Sequence, residues 1–209
     1  MKLLTEYLSN KIVQSTIKAT DNTIHKIVID ELDRLGHDAD LNHIDTSEVH
    51  YVINLFRSDA TGIGSRYADI NPDVSKWNMS NVKEAMCMFM DCKNFNCDLS
   101  NWDMSMAENI GGMFCNCTSF NQNLNNWNTS NLQAISQLFF GCTSFNMPLN
   151  RWDVSKISWA RQTFRNCKSF NQDISNWILS NKTCVDEMFK DCEIQEDFKP
   201  KFKNGKTVA

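Results

Sequence analysis

"FNQNLNNWNTSNLQAISQLFFGCTS" occupies residues 120–144, and at Phe145 nearly the same string begins again. Self-similarity at a fixed period signals a repeat architecture, so the period has to be measured before local structure is assigned. The tryptophans measure it: Trp77, Trp102, Trp127, Trp152 and Trp177 stand 25 residues apart without slippage. Counting from each, the third residue is always serine (Ser80, Ser105, Ser130, Ser155, Ser180) and the twelfth always phenylalanine (Phe89, Phe114, Phe139, Phe164, Phe189). The fifteenth is always cysteine: Cys92, Cys117, Cys142, Cys167 and Cys192. An asparagine precedes each tryptophan by six, at Asn71, Asn96, Asn121, Asn146 and Asn171.

Within one unit, Leu99, Trp102 and Met104, like Leu149, Trp152 and Val154, have the L-x-x-L-x-L spacing of a leucine-rich-repeat strand. The last two of each trio alternate as a short strand requires. The serine follows at once, and Ser105-x-x-Glu108 and Ser130-x-x-Gln133 have the form of a capping box. Downstream, Val82, Ala85, Met88 and Phe89, and again Leu132, Ile135, Leu138 and Phe139, fall on one face of a helix. The spacing therefore predicts strand, capped helix and return loop. Such a unit cannot enclose a core alone and must stack on its neighbours. The expected fold is α/β, a leucine-rich-repeat solenoid of short parallel strands and short helices. Stacking turns columns into ladders: tryptophan over tryptophan inside, with asparagine amides satisfying the return-loop backbone.

The chain divides into residues 1–38, an N-terminal helical cap; 39–69, a degenerate first repeat; 70–192, five full repeats; and 193–209, a C-terminal cap or tail. Amphipathic helices are expected near Leu3–Ile17 and Thr23–Leu35, the second ended by Gly36. In the degenerate repeat, Leu41, Ile44 and Thr46 take the strand spacing, Ser47 the cap, and Val49, Val52, Leu55 and Phe56 the helical face. Ile44 replaces the tryptophan, and 33 residues separate it from Trp77, so a loop containing "TGIGSRY" adds eight to the period.

"FNQDISNW" at residues 170–177, with the W-x-x-S, M-F-x-x-C and C-x-S-F-N elements, resembles the BspA-like leucine-rich-repeat surface proteins. The resemblance covers roughly Leu41 to Cys192. It implies a leucine-rich-repeat solenoid and binding or adhesion at microbial surfaces, in bacteria or their phages, and it brings no catalytic residues.

A net charge of -4 offers no basic face to displace counterions, which argues against nucleic acid as a partner. The start "MKLLTEYLSNK" lacks the apolar core of a signal peptide, and no run approaches a membrane span. A cytoplasmic chain is the default, whereas the resemblance suggests surface exposure, or virion association in a phage. The nine cysteines are read mostly as buried thiols, and "CNC" at Cys115 and Cys117, with Cys87, Cys92 and Cys97, lacks the spacing of a zinc ribbon. "HDADLNHID" at residues 37–45 reads as a solvated turn before it reads as a metal site. No cofactor, metal or catalytic pattern is expected.

Binding surfaces remain. The strand face should present Lys76, Asn78, Asn101, Asp103, Asn126, Asn128, Arg151, Asp153 and Asn176, the neighbours of the tryptophans. The helix face should present Phe140, Trp159, Arg161 and Arg165, aromatic and guanidinium groups of the kind that anchor interfaces. The function expected is a non-enzymatic protein-interaction or adhesion module for a protein or glycan ligand, monomeric rather than oligomeric. The alternatives are a structural or assembly subunit and, more distantly, a cysteine-rich metal-binding protein.

Overall fold

A computed structural model describes residues 15–58 and 64–208. The five tryptophans are 1 to 4% exposed and from Trp102 onward successive rings stack, with centroids 6.4 Å apart for Trp102 and Trp127, 6.3 Å for Trp127 and Trp152, and 6.0 Å for Trp152 and Trp177. A buried indole N–H needs an acceptor, and each donates to a carbonyl of the preceding repeat, Trp127 Nε1 to Leu99 at 2.8 Å and Trp152 Nε1 to Leu124 at 2.9 Å. Two phenylalanine ladders run alongside. Phe114 stacks on Phe139 at 5.8 Å, Phe120 on Phe145 at 6.0 Å, and within one repeat Phe114 meets Phe120 at 4.0 Å.

The cysteine and asparagine columns bind the repeats by polar contacts. Sγ of Cys117 donates to the Phe89 carbonyl at 3.0 Å, Cys142 to Phe114 at 2.9 Å and Cys167 to Phe139 at 2.8 Å. Burial pushes these three thiols well above their ordinary value, so they remain protonated donors. Along the return loops the Asn121 N–H donates to Asn96 Oδ1 at 2.9 Å, Asn146 to Asn121 at 2.9 Å and Asn171 to Asn146 at 3.0 Å.

Where helix is expected, the inner repeats form no helix. From Ala85 onward every second N–H crosses to the next repeat: Ala85 to Asn109 O, Cys87 to Gly111 O and Phe89 to Met113 O at 2.9 Å, and Asp91 to Cys115 O at 2.8 Å. The alternate N–H groups close tight turns, Met90 on Cys87 O at 3.2 Å and Cys92 on Phe89 O at 3.0 Å. A helix would spend all of these donors locally; here neighbouring repeats take half of them. The alternation needs left-handed backbone at two points per repeat, met by Cys87 (φ 53°) and Asp91 (φ 66°) in one and by Gly112 (φ 65°) and Asn116 (φ 61°) in the next. The apolar spacing still marks the interior, since Val82, Ala85, Met88 and Phe89 are fully buried.

The strand expected at the tryptophan is likewise absent from the inner repeats, and the capping boxes do not form. Instead the residue after each tryptophan makes a turn with its serine: Asp103 Oδ1 accepts the Ser105 N–H at 2.9 Å, and Asn128 Oδ1 that of Ser130 at 3.2 Å. Between the inner repeats the parallel bridges lie seven residues beyond the tryptophan, joining Glu84 to Asn109, Asn109 to Ala134, Ala134 to Trp159 and Trp159 to Cys184.

Strands form at the ends. At the front, β1 (Ile17–Thr20) runs parallel to β2 (Ile44–Glu48) with Ile17 opposite Ile44, and between them α1 (Ile24–Leu35) buries Ile24, Val28 and Leu32. Ile17 thus opens a strand; the rest of the helix expected over Leu3–Ile17 lies outside the described residues except Ser15 and Thr16, which are not helical. Gly36 ends α1 at φ 94°, its N–H on Leu32 O at 2.8 Å. The degenerate repeat joins the ladder in phase, with Val52 donating to Glu84 O and Asn54 to Met86 O at 2.9 Å, bonds that span eight residues more than inside the array. At the back, β3 (Ile178–Leu179) pairs in parallel with β4 (Lys201–Phe202), and Val208 is fully buried. The terminal segment therefore covers the tryptophan side of the last repeat.

Candidate binding face

The bridged positions define one face of the stack. On it Tyr51, Met86 and Trp159 are 47, 36 and 57% exposed, whereas Gly111, Ala134 and Ser136, on the rungs between Met86 and Trp159, are small. The small residues leave a cleft of about 330 Å³ with Met86 and Cys87 at one end, Trp159 at the other, and Asn109 and Gln137 among its walls. Its floor is held bare. A Cβ on Gly112 would come within 2.9 Å of Cys87 Sγ, and one on Gly111 within 3.1 Å of Ser136 O. Two main-chain donors at the floor are already bound to the next rung, Gly112 N–H to Ser136 O at 2.8 Å and Gln137 N–H to Arg161 O at 2.8 Å.

The residues expected on a helix face gather on or beside this one. Trp159 and Arg161 stand on the same rung, Arg161 paired with Asp186 at 3.4 Å. Arg165 lies over the half-buried Phe140 ring at 5.8 Å and pairs with Glu187, which also takes Lys190 at 2.7 Å. Lys190, then Gln162, with Arg165 beside them, hold the Glu187 carboxyl down to about 2. Because the backbone is laddered and not helical, the face expected to be helical is the paired one.

The residues expected on a strand face are all exposed, but they line the opposite turns and much of their polarity is used to build them. Asn78, Asp103, Asn128 and Asp153 accept from the serine two residues on. The Ser105 and Ser155 hydroxyls and N–H groups hold the Asp103 and Asp153 carboxyls below their ordinary range. Asn126 Oδ1 takes Arg151 Nη1 at 3.1 Å, Asn176 Nδ2 donates to Asn150 O at 2.6 Å, and the Lys76 N–H is bound by Asn42 Oδ1 at 2.7 Å. Asn101 is exposed without converging on the others.

A family model described as "Mycoplasma protein of unknown function, DUF285" matches residues 32–118 and again residues 98–202. The chain belongs to this DUF285 family. No curated protein and no solved structure matches it. In this DUF285 chain the match runs from the end of α1 through β4, so the cleft and both expected faces lie inside it. Among the described residues no helix is long and apolar enough to cross a membrane, and no three His, Cys, Asp or Glu side chains gather as a metal site would require. Three of the four histidines are paired separately, His37 with Asp69 at 2.7 Å, His43 with Glu31 at 2.8 Å and His50 with Asp21 at 3.3 Å.

Met86, Gly111, Ala134, Ser136 and Gln137 escaped the reading of the sequence. The signal for all but Gln137 was the pair of columns seven and nine beyond each tryptophan, where Glu, Asn, Ala, Trp, Cys and Met, Gly, Ser, Arg, Asp succeed one another in an otherwise uniform repeat; Gln137 stands in the next column, ten beyond Trp127.

Proposed function

We propose that the chain is a non-enzymatic binding module, a leucine-rich-repeat-type solenoid of the BspA-like kind whose paired face recognises a protein or glycan partner at a microbial or virion surface. One observation carries the reading: Trp159 is 57% exposed at the mouth of a cleft, while the tryptophans of the ladder are 1 to 4% exposed. A large ring left in water beside a cavity is the usual material of a recognition site. The invariant columns supply the scaffold, and the face varies from rung to rung. Glycan and protein arrays probed with the purified chain test the proposal. Binding that falls at least tenfold in Trp159→Ala supports it; no ligand on either array, or binding indifferent to Trp159, refutes it.

A structural subunit is the second reading, favoured by the last rung. There the N–H groups of Val185, Glu187, Phe189 and Asp191, whose counterparts in every inner repeat are bonded onward, have no partner among the described residues. Light scattering decides between the two: a concentration-independent monomer removes the second reading, and a defined oligomer upholds it.

A further inference from the structure

Resting on the reading of the paired face as a recognition surface, we infer that the cleft between Met86 and Trp159 is a saccharide site that takes a neutral pyranose ring against the indole. Met86 and Trp159 belong to rungs three apart, which at about 4.8 Å per rung sets the bulky ends roughly 14 Å from each other. Between them the floor is glycine, alanine and serine, so a flat ligand can lie on it without displacing a side chain. The size of the cleft, about 330 Å³, is that of a small-molecule site and not of an extended interface.

The chemistry of the lining narrows the class. None of the lining side chains is charged, and the nearest cation on the Trp159 rung, Arg161, is tied to Asp186 at 3.4 Å. An ionic ligand would find no counter-charge within the cleft. A peptide adding itself as a strand would need a continuous row of free main-chain donors, and Gly111, Gly112, Ala134 and Gln137 N–H are all bound already. What the cleft offers is one open aromatic face, an apolar far wall and amides: Gln137 spends Nε2 on Gln162 Oε1 at 3.0 Å, which leaves its own Oε1 to accept. A pyranose matches each of these, with C–H groups for the indole face and hydroxyl groups for the amide. It is apolar on its faces and polar at its edge, as the cleft is.

The full chain should be applied to an array carrying neutral and acidic oligosaccharides, and each neutral hit titrated by calorimetry against wild type, Trp159→Ala and Gln137→Ala. Both substituted side chains are exposed, so thermal melts should stay within a degree or two of wild type. The expected result is saturable binding of neutral glycans, weakened at least tenfold by Trp159→Ala and severalfold by Gln137→Ala. An array without neutral hits, or with acidic hits alone, overturns the saccharide assignment. A protein ligand that requires Trp159 while no glycan binds also overturns it, yet leaves the recognition face standing. Glycan binding unmoved by both substitutions refutes the cleft and the face together.

Discussion

Trp127 and Trp159 carry the same side chain into opposite environments. Trp127 is 3% exposed, stacked on both sides and hydrogen-bonded through Nε1, whereas Trp159 is 57% exposed. Trp127→Ala should therefore cost about 3 to 5 kcal/mol in urea unfolding, and Trp159→Ala within about 0.5 kcal/mol. Equal losses would mean that inside and outside are interchanged. Asp103 tests the turns. Its folded carboxyl lies below the unfolded value because Ser105 donates to the charged form, so the stabilisation is present above the unfolded value and is lost as pH falls through the folded one, below about pH 4. Asp103→Asn keeps the acceptor, as Asn78 and Asn128 already do in other repeats, but does not titrate. The acid limb of its melting temperature against pH should be shallower than that of wild type. At this scale the interior was legible, because a column of Trp, Phe or Cys repeated in phase has no other place to go. Trp159 was legible as an exposed ring, but its company was not: Met86 and Ser136 sit 73 and 23 residues away and meet it only across rungs.

The element most plainly misread was the one after the serine. Apolar residues at i, i+3 and i+7 satisfy a helix, and they satisfy equally a run of three-residue turns that points the same residues inward. What separates the two is the fourteenth residue after each tryptophan: Asp91, Asn116, Gly141, Asn166 and Asp191, the residue types that accept left-handed backbone, all at φ between 58 and 69°. Read as a column, these residues argue against an unbroken helix. The consequence is measurable by amide hydrogen exchange. Phe139 and Gly141 donate across to Thr163 O and Arg165 O at 2.9 Å and should exchange with the slow core, while Phe189 and Asp191, their counterparts on the last rung, have no such acceptor and should exchange much faster. Uniform protection along the stack would mean that another group pairs with the last rung.

For the whole molecule, each repeat touches chiefly its neighbours, so stability should be close to a sum over repeats and their interfaces. Deleting residues 120–144 removes one period and joins Ser119 to Phe145 with every column still in phase. The shortened chain should unfold cooperatively in urea with a smaller m-value, whereas deleting residues 120–132 throws the tryptophan and asparagine ladders out of phase and should abolish the cooperative transition. Period, phase, inward columns and the eight-residue insertion before Trp77 are all properties of the letters, because burial is decided residue by residue from side-chain chemistry and simply recurs. Which N–H pairs with which C=O is not such a property. The acceptor for Ala85 can be three or four residues away or 24 residues away on Asn109, and only the stacked neighbour makes the distant choice the better one. From that choice follow the laddered backbone, the exchange of the two expected faces, and the cleft in which Met86, Gly111, Ser136 and Trp159 meet.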